Sequence, residues 1–167
     1  MVPLDLISKY FWLVAILVTG INWAMFRKRA QPYIEANRDL TEGYGALFRG
    51  YLFWLNIPWV VMGVGCISGG VPSVWHYLRP RDGNLYVLAW FASVFFLWVF
   101  GTFWIFFRGG AETLARHPGA IEFTYGFKRK DITQPAIIKT LWILALTGGI
   151  VGVALMWSTD IPTPNFR

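Results

Sequence analysis

Two histidines, His76 and His117, are the only imidazoles in this 167-residue chain, and each has a hydroxyl nearby in sequence, Ser73 and Thr113 respectively. A hydroxyl beside a base is the beginning of nucleophilic catalysis, but that chemistry also needs an orienting carboxylate and donors for an oxyanion. No nucleophile motif surrounds either pair. The single cysteine, Cys66, can form neither an intrachain disulfide nor a multi-cysteine metal site. The sequence therefore predicts a non-enzymatic protein, with no catalytic or metal residue and no cofactor beyond bound lipid.

The remaining chemistry-bearing candidates lie inside apolar stretches. Thr19, Asn56 and Thr147 each fall eight to ten residues from the basic end of their stretch, which at about 1.5 Å per residue is roughly 12 to 15 Å deep, near the middle of a bilayer. Trp98 reaches a similar depth. Pro58 leaves the Trp54 carbonyl without its helical donor and predicts a kink. This layer reads either as a small binding site or gate, or as Asn and Thr tying helices together at about 0.6 kcal/mol per bond. No carboxylate, Lys or His lies at that depth, so proton relay and ion coupling lack their usual residues.

A second candidate is the run Arg108-Gly109-Gly110, followed by a short helical segment containing Arg116. Its cations and free backbone N–H groups suit a headgroup phosphate, while Glu112 in the same turn opposes an anion. The alternative is a simple turn leaving the membrane. Small residues also recur at four-residue spacing in Gly20 and Ala24, Gly65 and Gly69, Ala145 and Gly149, and Gly148 and Gly152. That spacing permits close helix approach, within the bundle or toward a partner.

The elements that must position these residues follow from composition. Hydrophobic residues make up 56% and charged residues 14%, against roughly 25% charged in a soluble domain. The net charge of +6 does not indicate nucleic acid, because a nucleic-acid protein spreads its cations over a soluble surface. Four stretches are free of charge and long enough to cross a hydrocarbon core of about 30 Å. Helices are predicted near residues 10–26, 47–68, 85–107 and 137–157. The first carries Asp5 in its leader and no small-residue cleavage site, which predicts a retained helix rather than a signal peptide.

Eleven of the fifteen Lys and Arg fall in the first and third connections, so those connections are expected to face the cytoplasm and both termini to face outward. His76 and His117 then lie on opposite sides, which excludes a bis-His haem within one subunit. Trp12, Trp75 and Trp157 are expected near the outer interface, Trp23 and Trp104 near the inner one. The third span carries seven phenylalanines and three tryptophans, a surface for lipid or for a hydrophobic ligand such as a pigment or quinone.

Between spans, the first connection reads as a polar extension of the first helix or a short surface helix ending near Gly43 and Gly45. The third connection reads as a short helix stopped at Pro118-Gly119, then an extended segment in which Ile121, Phe123, Tyr125 and Phe127 alternate with polar residues. Asp131 and Gln134 have capping-box spacing for the last helix. The fold expected is an all-α, four-span, up-down bundle with both termini outside, most simply in a bacterial inner membrane. The function expected is that of an accessory, assembly or scaffolding subunit, whose partners are membrane lipids and a membrane protein or second copy. The competing reading is a small transporter or binder of a hydrophobic ligand.

Overall fold

A computed structural model of the chain describes residues 3–125 and 128–162. It is predominantly helical, with one short two-stranded hairpin among these residues. After α1 (Pro3–Lys9), α2 runs from Phe11 to Ala36. Its apolar stretch stops at Phe26, and the helix continues as the expected polar extension. Asn37, in extended conformation, ends it and accepts a hydrogen bond from the Asp39 N–H at 3.1 Å. Gly43 and Gly45 do not end the connection as expected but lie inside α3 (Thr41–Trp54).

The second predicted span is divided. α3 stops at Trp54 and α4 (Ile57–Ile67) resumes with Pro58 in its first turn. The Asn56 N–H turns to the Phe53 carbonyl at 3.3 Å, and its side-chain amide instead donates to Leu52 at 2.7 Å. The side chain thus replaces the backbone bond that the break removes. A loop with 3-10 turns at Val74–Leu78 and Pro80–Asp82 leads to α5 (Leu85–Phe107). Asn84 joins loop and helix: its carbonyl oxygen accepts from the Tyr86 N–H at 2.9 Å and its amide donates to Gly70 at 2.8 Å.

Gly109, at φ +70°, turns the chain into α6 (Gly110–Arg116). Strands β1 (Glu122–Tyr125) and β2 (Lys128–Asp131) then pair antiparallel, with Glu122 opposite Asp131. The alternating segment is therefore half of a hairpin; Phe127 lies outside the described residues. α7 spans Pro135–Ser158. Its N-cap residue Gln134 makes no side-chain cap bond, so the expected capping box does not form: Asp131 belongs to β2 and its carboxylate is engaged elsewhere.

Three helical segments are long and apolar enough to cross a membrane, Arg38–Ile67, Leu85–Phe107 and Pro135–Ser158. The chain is thus built as a membrane protein. The helices pack most densely near their ends. At one end Met62, Val71, Tyr77, Val87 and Phe91 form a buried cluster joined by Trp12, Val153 and Met156. At the other, Phe26, Ala30 and Tyr44 form one cluster, and Ile105, Ala111 and Ile138 another. Each cluster joins starts of some helices to ends of others, as antiparallel packing requires.

Candidate functional site

The predicted mid-membrane residues are not joined by hydrogen bonds. The Thr19 hydroxyl donates to Ala15 at 2.9 Å, Thr147 to Ile143 at 2.9 Å and the Asn56 amide to Leu52 at 2.7 Å, each on its own helical stretch. Thr19 is buried, Thr147 is exposed, and Pro58 is buried at the break it creates. The Asn56 Oδ1 is buried without a partner. Depth alone placed these three together; each hydrogen-bonds within its own helical stretch, and of the three only Thr19 is buried.

A polar tie between α5 and α7 carries no signal in the sequence. Trp142 on α7 donates its indole N–H to Thr102 on α5 at 3.0 Å, and Thr102 donates to the Trp98 carbonyl at 2.7 Å. The same two tryptophans lie on glycines of the facing helix. A methyl group on Gly101 would come 2.6 Å from Trp142, and one on Gly149 would come 2.5 Å from Trp98. The contact is reciprocal: each helix offers a ring to the other's glycine. Only glycine accommodates rings at that distance.

The same device recurs around the molecule. Trp12 of α2 covers Gly63 of α4 at 2.8 Å from the position a Cβ would take, and Trp104 covers Gly110 at 2.6 Å. Tyr77 and Tyr86 close over Gly65, Tyr86 also over Gly70, and His117 over Gly43. Trp54 stacks obliquely on Phe100 at 4.5 Å between ring centroids, and Phe91 meets Trp157 edge-on at 4.8 Å. Part of the aromatic excess thus serves packing, while Phe95, Phe96, Phe100, Phe103 and Phe107 of α5 are exposed.

The small-residue pairs divide accordingly. Gly65 is under tyrosines, and Gly69, at φ +76°, makes the turn after α4. Gly20, Gly148 and Gly152 have open space where a side chain would be.

The predicted anion cluster lies at the turn from α5 into α6. Gly110 is buried under Trp104, the Gly109 carbonyl accepts from the Thr113 hydroxyl at 2.8 Å, and Glu112 pairs with Lys139 at 2.8 Å. That hydrogen bond holds the Glu112 carboxyl below its ordinary range. Arg108 and Arg116 are exposed, without an ion pair among the described residues.

A polar clamp at the same end was not anticipated. Arg29 of α2 pairs with Glu122 of β1 at 3.1 Å. Tyr33 donates to Asp131 Oδ2 at 2.5 Å, and the same carboxylate accepts from the Gly119 N–H at 3.0 Å. Asp131 thereby raises the Tyr33 phenol pKa. Tyr44 donates to the Pro118 carbonyl at 2.7 Å, and buried His117 lies edge-on to the Tyr44 ring with its Nδ1 2.6 Å from the Thr113 carbonyl. Together these bind the hairpin to α2 and the turn before it to α3, while Ile121 and Ile132 pack on the cluster of α5, α6 and α7. The one sequence signal was the alternation at 121–128.

His76 lies at the other end of the bundle, 3.2 Å from the Ser73 hydroxyl. There Tyr77 donates to the Met62 carbonyl at 3.0 Å and burial holds its phenol proton well above the ordinary range. Among the described residues no three of His, Cys, Asp and Glu come together as a metal-binding group. No family model, curated protein or solved structure matches this chain. What the arrangement offers chemically is close helix contact and anchored surface, rather than a set of converging reactive groups.

Proposed function

We propose that this chain is a four-span membrane protein with both termini outside, in a bacterial inner membrane, and that it acts as a non-enzymatic accessory or scaffolding subunit. The observation that carries this reading is α7. Of its 24 residues only Ile138 is buried, and Gly148 and Gly152 leave an open notch one turn apart on its surface. An apolar helix with so little cover within its own chain is suited to packing in the membrane on a partner helix. α2 supplies the fourth crossing in this reading: its uncharged stretch of 17 residues, Tyr10 to Phe26, is at the short end of what spans, and Arg27-Lys28-Arg29 then anchors the cytoplasmic end.

The competing transport or ligand-binding reading loses support from the separate bonding of Thr19, Asn56 and Thr147 to their own helical stretches. The direct test is a photo-cross-linking residue, p-benzoylphenylalanine, in place of Gly152, which inserts into C–H bonds and needs no thiol in the partner. Illumination of native membranes gives a specific protein adduct, with a second copy or another membrane protein, if α7 is an interface. Uniform monomer after illumination contradicts the proposal.

A further inference from the structure

The inner end of α2 carries a feature that none of the residues considered above explains. Trp23, Ala24, Arg27, Lys28, Gln31 and Pro32, all on α2, line a shallow, open surface depression. Its floor is fixed. The Trp23 indole N–H donates to the Phe48 carbonyl of α3 at 3.1 Å, and the Arg27 guanidinium lies 4.9 Å over the Trp23 ring and 5.9 Å from that of Phe48. Stacking occupies the face of the guanidinium and leaves its in-plane N–H groups free to donate. Among the described residues neither Arg27 nor Lys28 meets a carboxylate. The nearest acid along the helix, Glu35, is engaged by the Gln31 amide at 2.8 Å and bounds the far side.

Two adjacent unpaired cations, one held rigid, at the point where an apolar helix turns polar, are suited to a phosphate at headgroup level. Directly below Lys28 on the same helix face, at intervals of four residues, come Ala24 and Gly20, and nothing lies within 4 Å of where a Gly20 side chain would project. That leaves a shallow track running from the cations toward the apolar end of α2. We propose that this is a binding site for an anionic phospholipid, its phosphate held by Arg27 and Lys28 and an acyl chain laid along Ala24 and Gly20. The proposal rests on α2 crossing the membrane.

The test uses the full-length protein purified with detergent delipidation, exchanged into nanodiscs of phosphatidylcholine with or without phosphatidylglycerol, and analysed by native mass spectrometry. The wild-type protein retains phosphatidylglycerol in preference to phosphatidylcholine. Lys28→Gln lowers that retention and Arg27→Gln/Lys28→Gln lowers it about tenfold or more, as loss of charge-assisted contacts implies. Gly20→Leu, which fills the track, lowers it as well, whereas Arg116→Gln at an exposed cation elsewhere on the same end leaves it unchanged. Lys28 is exposed and makes no contact that folding depends on, so its variant reads the site even if Arg27→Gln is unstable. Undiminished retention in Lys28→Gln and the double variant overturns the site. An equal loss in Arg116→Gln overturns it in favour of diffuse charge attraction, and displacement of the lipid by millimolar inorganic phosphate overturns the lipid assignment. Carbonate extraction of the wild-type membranes checks the crossing separately: a chain released into the supernatant removes the membrane reading itself.

Discussion

Gly148 and Gly149 are neighbours on α7, yet the structure assigns them opposite sensitivities. A methyl group at Gly149 would sit 2.5 Å from the Trp98 ring, and one at Gly148 would meet nothing within 4 Å. Restoring an ordinary carbon contact at position 149 requires the indole to retreat by about 1 Å, and overpacking of that kind costs about 1–3 kcal/mol. Both substitutions to Ala gain the same intrinsic helix preference of roughly 0.5–1 kcal/mol, so comparing Gly149→Ala with Gly148→Ala cancels it. Gly149→Ala is therefore expected to unfold about 1–3 kcal/mol more easily than Gly148→Ala. Gly101→Ala, under Trp142, should match Gly149→Ala, and Gly152→Ala should match Gly148→Ala. The assay is titration of mixed detergent micelles with SDS, followed by far-ultraviolet circular dichroism and tryptophan fluorescence. Equal stability of the 148 and 149 variants would refute the claim that rings seated on glycines lock α5 to α7.

Three further outcomes follow from particular contacts. Thr102→Val leaves the Trp142 ring on Gly101 but removes the hydroxyl that accepts its indole N–H, and should cost about 0.6 kcal/mol in the same titration. Tyr77→Phe removes the buried hydroxyl that donates to the Met62 carbonyl and should cost about 1 kcal/mol, whereas Tyr77→Ala, emptying the centre of that cluster, should cost about 3–5 kcal/mol by analogy with other large aromatic truncations. Glu112 has a depressed pKa, caused first by Lys139; its contribution is present above the ordinary carboxylate value of 4.5 and lost as pH falls through the lower folded value. Wild type and Glu112→Gln should therefore differ in melting temperature at pH 7 and converge once the pH has fallen below the folded value.

Much of the fold is legible because burial in hydrocarbon demands long uncharged stretches and turns declare themselves. Pro58 marked the break between α3 and α4, Asn84 stands at the start of α5 among turn residues, and the alternation after Gly119 marked a strand. The candidate site was less legible, for a geometric reason. Counting residues gives depth, and Thr19, Asn56 and Thr147 share a depth, but only packing angles decide which side chains face one another. Thr102 makes the same bond to the carbonyl four residues back as Thr19 and Thr147 do, and nothing local distinguishes the one hydroxyl that also receives Trp142. Likewise Asp131 satisfied a helix-cap spacing, yet its carboxylate is claimed by Tyr33 and Gly119, roughly a hundred and a dozen residues away in sequence respectively. Glycines spaced by four look alike in sequence; Gly149 holds a ring, and Gly148 and Gly152 hold none.

The proposed role as a membrane-embedded subunit is tested most directly by releasing the protein from native membranes without prior detergent, in polymer-bounded lipid discs, and measuring the mass of the particle it occupies by native mass spectrometry. The expected result is a stoichiometric assembly, with a second copy of the chain or a distinct membrane protein, that Gly148→Leu/Gly152→Leu dissociates while leaving the chain folded. A single chain carrying lipid alone, in both the wild type and the variant, contradicts it.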